Sequence, residues 1–482
     1  MCMSKPVLKF LYPSPLSFLI IAGFFLFGCS NKYIDEVDRG AGYNYQPGFP
    51  ELRLATTGQI NESNIPTIIV SGNIVYGSLV YSRNEDVLEA TLLIEIIIRN
   101  TSDEDNTVKR REFERKVLED DEAIINSQNV LRFEEVFEVP PGNYEIRTVV
   151  TDQVSGKSTT QTSETEIPNP EENVSHITEI RILGKNTDQE QSQFNQATTY
   201  DVPSSLDSLK FVFQVTNNNP DEPIELESRL LKFRSDTSIA RPMHFNDYSP
   251  SSIAYLGIDY SKFEVIQSST RSLNQPGSVV IEFVFTDLER GNYRLEVTSN
   301  MEEDDELYRA RDFSIKSPNY PSLKTAEELA RPLAYLMDEK EYDKLMDIKD
   351  PKKMKAAIDR FWLTNVQNSN IAKNVISLYY QRVEEANKQF SNFKEGWKTD
   401  LGMIYILFGP PWYSDRFSDQ LYWSYSYNQE DPEKNFAFTE PKMKSKFYPF
   451  NHYLLRRNSF YYNIQYQQKQ RWRTGSILTY NL

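Results

Sequence analysis

Side chains able to do covalent or acid–base chemistry are sparse here. The three histidines, His176, His244 and His452, are far apart, and the two cysteines, Cys2 and Cys29, both lie near the N-terminus. Metal centres and activated nucleophiles need convergent His, Cys or carboxylate groups. No such spacing occurs, and neither a glycine-rich phosphate loop nor a serine-nucleophile elbow is present. The sequence therefore predicts no metal and no small-molecule cofactor. One carboxylate stands out, Asp400 in the run Gly396-Trp397-Lys398-Thr399-Asp400. As a general base or metal ligand it would need a second acid or a histidine beside it in a cleft. A structural account uses every residue of the run: Gly396 permits a bend, Trp397 buries a large ring, and Thr399 and Asp400 hydrogen-bond exposed backbone groups.

A second feature lies further on. From Pro441 to Leu482 there are eight Lys and Arg and no Asp or Glu, on a chain whose net charge is −16. Aromatic residues are interleaved, and Arg456, Arg457, Arg471, Trp472 and Arg473 are candidate partner-binding residues, since Arg and aromatics make interface anchors. Three roles fit this tail: packing on acidic helices of the same chain, docking an acidic protein partner, or meeting an anionic glycan or glycolipid. The overall acidity repels phosphate backbones, which argues against nucleic acid.

These groups must be positioned by about three folded units, given 482 residues. Lys5 and Lys9 precede an apolar stretch, Phe10–Phe27, which ends in Leu26-Phe27-Gly28-Cys29. That layout reads as a secretory signal over residues 1–28. Its end resembles a bacterial lipobox, which implies acylation of Cys29 and a lipidated tether over residues 29–50. Ser30 follows the cysteine where Asp would imply inner-membrane retention, so the resemblance implies a lipid-anchored outer-membrane protein, read here as facing the periplasm.

From residue 51 to 170 short β-branched and aromatic runs alternate with polar turns, as at Ile68–Val70 and Leu92–Ile98, and predict a first β-sandwich. An internal repeat predicts a second over residues 171–317. Phe133–Arg147, containing Gly142-Asn143-Tyr144, parallels Ile281–Val297, containing Gly291-Asn292-Tyr293, with the two glycines 149 residues apart. Each Tyr resembles the tyrosine corner of immunoglobulin-like sandwiches, which implies a hydroxyl bonded back to the preceding loop. Beyond Ser317-Pro318 the period changes from two to about 3.6. Thr325 and Glu328 have capping-box spacing, and two further helices start near Pro351 and Ile371. A strand is expected at Met403–Phe408. The fold class is thus multi-domain: two tandem all-β immunoglobulin-like sandwiches followed by an α+β domain over residues 318–482.

The residues Gly396, Trp397, Thr399 and Asp400, with Phe361-Trp362, the Tyr379–Asn387 segment and Tyr422-Trp423, make this last domain resemble the GWxTD domain family, common in envelope proteins of Bacteroidota. One departure is Leu401, where many members carry Arg. The resemblance implies a domain and an envelope setting, and no reaction. The function expected is a non-catalytic outer-membrane lipoprotein, a scaffold or interaction subunit held to the membrane by its lipid and bound to an envelope protein. Two alternatives remain: an envelope hydrolase or glycan-modifying enzyme with Asp400 in its site, and a glycan-binding lipoprotein.

Overall fold

The computed structural model describes residues 37–38, 45–102, 107–169, 175–188, 192–218, 223–299, 307–366, 368–428, 431, 434–442 and 450–479. The expected signal segment, Cys29, and Lys444 and Lys446 of the basic tail lie outside these residues. In chain order the strands of the first half are β1 (Val37–Asp38), β2 (Leu52–Ile60), β3 (Pro66–Val75), β4 (Ser82–Asn84), β5 (Val87–Asn100), β6 (Thr107–Glu119), β7 (Val130–Glu138), β8 (Gly142–Asp152) and β9 (Ser158–Ile167). One sheet is β2-β3-β7 and the facing one is β4-β5-β8-β9 with β6 also on β5. Strand β5 shows why they pack. Its alternate residues Leu88, Ala90, Leu92, Ile94, Ile96 and Ile98 all point inward, where they meet Leu54, Ile68 and Val70 of the other sheet.

The second sandwich uses β10 (Ser175–Ile177), β11 (Arg181–Lys185), β12 (Asn195–Gln196), β13 (Asp201–Pro203), β14 (Ser208–Asn217), β15 (Ile224–Ser235), β16 (Ile258–Leu273), β17 (Gly277–Thr286), β18 (Gly291–Ser299) and β19 (Tyr308–Lys316). Its sheets run β10-β14-β11-β12, with β17 on β14, and β1-β19-β18-β15-β16, with β13 on β19. Phe211, Ile182 and Phe285 from one sheet bury against Leu230, Leu295 and Phe313 from the other. Both repeats carry the expected corner. Each Tyr lies where the chain crosses between sheets, β7 to β8 and β17 to β18. The Tyr144 hydroxyl donates to Pro140 O at 2.6 Å, and that of Tyr293 to Glu289 O at 2.7 Å. Between the sandwiches, Gln214 clasps the backbone of Ile60, accepting from its N–H at 2.8 Å and donating to its carbonyl at 2.7 Å.

A loop between β15 and β16 holds α1 (Ile253–Leu256), and the remainder is helical at first: α2 (Ala326–Ala330), α3 (Glu339–Met346), α4 (Pro351–Val366) and α5 (Ser369–Phe390). Thr325 and Glu328 form the reciprocal cap expected for α2. A second capping box, Asp338 with Glu341, starts α3, whose single buried residue, Leu345, leaves little periodicity to read. Next comes α6 (Asp400–Phe408), then β20 (Tyr413–Arg416), β21 (Gln420–Ser424), β22 (Asn435–Thr439), β23 (Leu454–Leu455) and α7 (Tyr461–Thr474). The expected strand at Met403–Phe408 is therefore a helix. Every residue from Asp400 to Phe408 is buried, so the run is apolar on all sides and a period of two or 3.6 leaves no trace. Around α6 pack Trp362, Tyr379 and Trp472, the last two edge to face at 5.2 Å. Ala240 and Met243, from the β15–β16 loop, belong to this same core. Among the described residues no helix is long and apolar enough to cross a membrane.

Candidate functional site

The run Gly396–Asp400 links α5 to α6, and its local geometry follows from close backbone packing. A Cβ on Gly396 would lie 1.9 Å from the Ala386 carbonyl oxygen of α5, and one on Gly402 would lie 1.9 Å from Gly396 O. Glycine is thus required for contact between α5 and the start of α6, where the sequence pointed to a bend. Thr399 caps α6: its Oγ1 accepts from Gly402 N at 3.0 Å and donates to Gly396 O at 2.7 Å. Trp397 is buried, its N–H donates to Asn387 Oδ1 at 3.2 Å, and its carbonyl accepts from the Tyr335 hydroxyl at 2.7 Å.

Asp400 faces the protein interior. Its Oδ1 accepts from Arg457 Nη2 at 2.7 Å, and its Oδ2 accepts from Arg457 Nη1 at 2.7 Å and from Leu455 N at 2.8 Å. This is a bidentate, charge-assisted pair with both side chains almost completely buried. Arg457 spends its remaining donors on the β15–β16 loop, reaching Arg241 O at 3.1 Å and Pro242 O at 3.3 Å, with its guanidinium over the Tyr248 ring at 4.5 Å. The motif aspartate therefore fastens three stretches together: the start of α6, the segment after β23, and a loop of the second sandwich. Among the described residues no His or second acid hydrogen-bonds its oxygens, and no cluster of three or more His, Cys, Asp or Glu could hold a metal.

Sequence reasoning missed Glu395, the residue just before the motif. It accepts from the Trp397 indole at 3.2 Å and from Ser317 N at 3.2 Å, and pairs with Lys398 at 2.8 Å and with Arg290. Burial would raise its pKa, but Lys398, Arg290 and Lys316 outweigh that and hold it at about 2. The one sequence signal was a charged residue on each side of a buried tryptophan. Nearby, Lys394 reaches Asp236 at 2.5 Å and Lys316 donates to Asn392 O at 2.6 Å, so the last domain is tied to the second sandwich by buried ion pairs and hydrogen bonds. Lys388 adds a 2.7 Å bond to Glu51 of the first sandwich.

A cleft of about 600 Å³ opens beside this node, with Trp397, Met346, Ile348 and Met354 as apolar lining and Arg290 and Arg331 among its charges. Asp400 does not line it. Of the cleft carboxylates, Glu328 is turned into the α2 cap and, although burial opposes this, the Thr325 and Lys324 backbone donors hold its pKa below the ordinary value. With Glu395 also held ionised, these two groups can accept hydrogen bonds and cannot exchange protons near neutrality.

The basic tail divides. Arg457 and Trp472 are interior, and Trp472 donates its indole N–H to Leu407 O at 2.9 Å. Both are therefore unavailable as surface anchors, because each is consumed by the packing of α6 and α7. Arg473 is half-buried and pairs with Glu341 of α3 at 3.1 Å, and Arg471 bonds Gln468 at 2.9 Å. Arg456 is exposed, and so are Phe460, Tyr462 and Tyr466 on or beside α7.

No curated protein matches the chain by sequence. Among solved structures, similarity is found to a red sea bream transglutaminase, at 9% identity and a TM-score of 0.19 over 57% of this chain and 32% of that one. A Salmonella alpha-2-macroglobulin reacted with methylamine gives 16% identity and a TM-score of 0.19, over 58% of this chain and 17% of that one. The fibronectin(III)-like modules of Clostridium thermocellum CbhA give 10% identity and 0.15, over 53% of this chain and 87% of that one. The chain thus spans a third or less of the first two, and at these scores nothing is carried over from any of the three. A family match is more specific. Residues 298–474, which include β19 of the second sandwich, the Gly396–Asp400 run and the Arg457 that answers it, match the GWxTD domain, so the chain carries a GWxTD domain.

Proposed function

We propose that this is a non-catalytic bacterial lipoprotein of the outer membrane, of the Bacteroidota type, that works as a scaffold or interaction subunit of a cell-envelope assembly. The lipobox-like Leu26–Cys29 supports lipidation at Cys29 and a periplasm-facing tether. Two sandwiches clasped to each other and ion-paired to the last domain make a spacer of fixed geometry. The observation that carries the reading is the division of labour in the GWxTD domain. Its most polar motif residue, Asp400, is saturated by Arg457 and Leu455 N, while Tyr462, Tyr466 and the flanking Arg456 lie at the surface beside the exposed Phe245 of the β15–β16 loop. His244 stacks edge-on between Phe245 and Tyr462, at 4.9 and 5.0 Å, which makes one aromatic patch of them. Exposed aromatics beside an arginine are what protein interfaces concentrate, and an acidic envelope protein is the partner class that matches.

Crosslinking in native membranes followed by affinity capture tests this. Wild-type protein should capture a defined envelope protein, and a Tyr462→Ala/Tyr466→Ala variant should lose it while remaining in the membrane fraction. Cys29→Ala should shift the protein to the soluble fraction. Substrate turnover abolished by Asp400→Asn at unchanged melting temperature would overturn the reading in favour of an enzyme.

A further inference from the structure

The small sheet β20-β21-β22-β23 has one face in the core, with Leu421, Trp423, Phe436 and Phe438 buried. Register places the other set outward: Tyr413 pairs with Ser424 and Asp415 with Tyr422, and Ser424 pairs in turn with Asn435. This outer face holds a shallow groove of about 480 Å³ lined by Asp415, Phe417, Asp419, Gln420, Tyr422 and Asn435. Phe417 is exposed and stands edge-on to Tyr422 at 5.7 Å. At the neighbouring end Trp412, Tyr413 and Tyr427 form a second group of exposed rings, with Trp412 and Tyr427 5.1 Å apart.

The polar lining is rich in acceptors. Asp415 and Asp419 are carboxylates, each an acceptor and neither a donor when ionised. Among the described residues no Lys or Arg lines the groove. Arg416 falls on the opposite face by register, where it lies over the Tyr453 ring and bonds Asn451. A ligand suited to this surface donates hydrogen bonds, carries no negative charge, and has flat apolar faces to set against aromatic rings. A pyranose meets all three conditions, because its hydroxyls donate at the edge while its C–H faces pack on rings.

We propose that this groove, separate from the partner patch on α7, is a binding site for a neutral oligosaccharide. The site does not depend on the scaffold reading. The full-length chain is titrated calorimetrically with cellohexaose, chitohexaose and maltohexaose, with polygalacturonate as an anionic control and oligolysine as a basic-peptide control. At least one neutral hexasaccharide should bind, with Phe417→Ala and Asp419→Asn each weakening it by about tenfold or more, at unchanged melting temperature. Variants at Tyr462 and Tyr466 should leave this binding intact. Absence of binding to all three neutral sugars, binding indifferent to both groove substitutions, or binding confined to oligolysine or polygalacturonate would overturn the proposal.

Discussion

A carboxylate and a guanidinium can be held in an apolar core only when nearly every donor and acceptor they carry is matched, because desolvating each ion costs several kcal/mol. Asp400 and Arg457 meet that condition through one bidentate pair, the Leu455 N–H and two loop carbonyls. The same desolvation acts on the histidines. Burial, reinforced by Lys394, depresses the pKa of His452 to about 4, and burial with Arg309 depresses that of His176 to about 3, against 6.5 in an unfolded chain. The unfolded state therefore binds protons that the native state refuses. Stability should be full above pH 6.5 and fall as the pH drops toward about 4 and about 3. Glu395 adds a later loss. Its depressed value gives stability above its unfolded 4.5 that disappears as the pH falls to about 2. Urea midpoints measured across this range should decline first through the histidine window, and His452→Gln should flatten that first limb.

Among elements, α6 shows how local chemistry outranks an apolar run. Thr399 supplies the cap, and Gly396 and Gly402 supply the closeness that lets this nine-residue helix sit against α5. Thr399→Ala should lower stability by about 1 kcal/mol through loss of the cap. Gly396→Ala should cost about 3 kcal/mol or more, since the new methyl would overlap a main-chain oxygen that cannot move aside. Both are read from denaturant curves. Strands such as β5 were legible because one face is wet, and α4 and α5 were legible because their apolar stripes are one-sided. Helix α6 was not, because burial on all sides erases period. The tyrosine corners were legible as a repeat, since Gly and Tyr recur at the same offset from a strand end. The Asp400–Arg457 pair spans 57 residues and closes only when α6, β23 and the β15–β16 loop meet, so no local pattern announces it. Glu395 was hidden for the same reason, its partners Arg290 and Ser317 being far away in the chain.

For the whole molecule, what matters is that charge is used internally as well as at the surface. The chain is strongly acidic, yet the junctions between its units are built from cations, with Lys316, Lys388, Lys394 and Arg290 each meeting an acceptor in another unit. Such pairs are expensive to break singly, so they couple the units during unfolding. Calorimetry should show the second sandwich and the GWxTD domain melting together in the wild type. Lys394→Met, which strands Asp236 in a buried site, should split that transition into two.

The aspartate of the GWxTD motif thus acts as a fastener. A double-mutant cycle on Asp400→Ala and Arg457→Ala, read by chemical denaturation, probes that role. Each single substitution should cost roughly 3–5 kcal/mol and the pair little more than either alone, because each leaves the other charge buried without its partner. Additive losses, or an Asp400→Ala protein as stable as wild type, would show that the carboxylate fastens nothing.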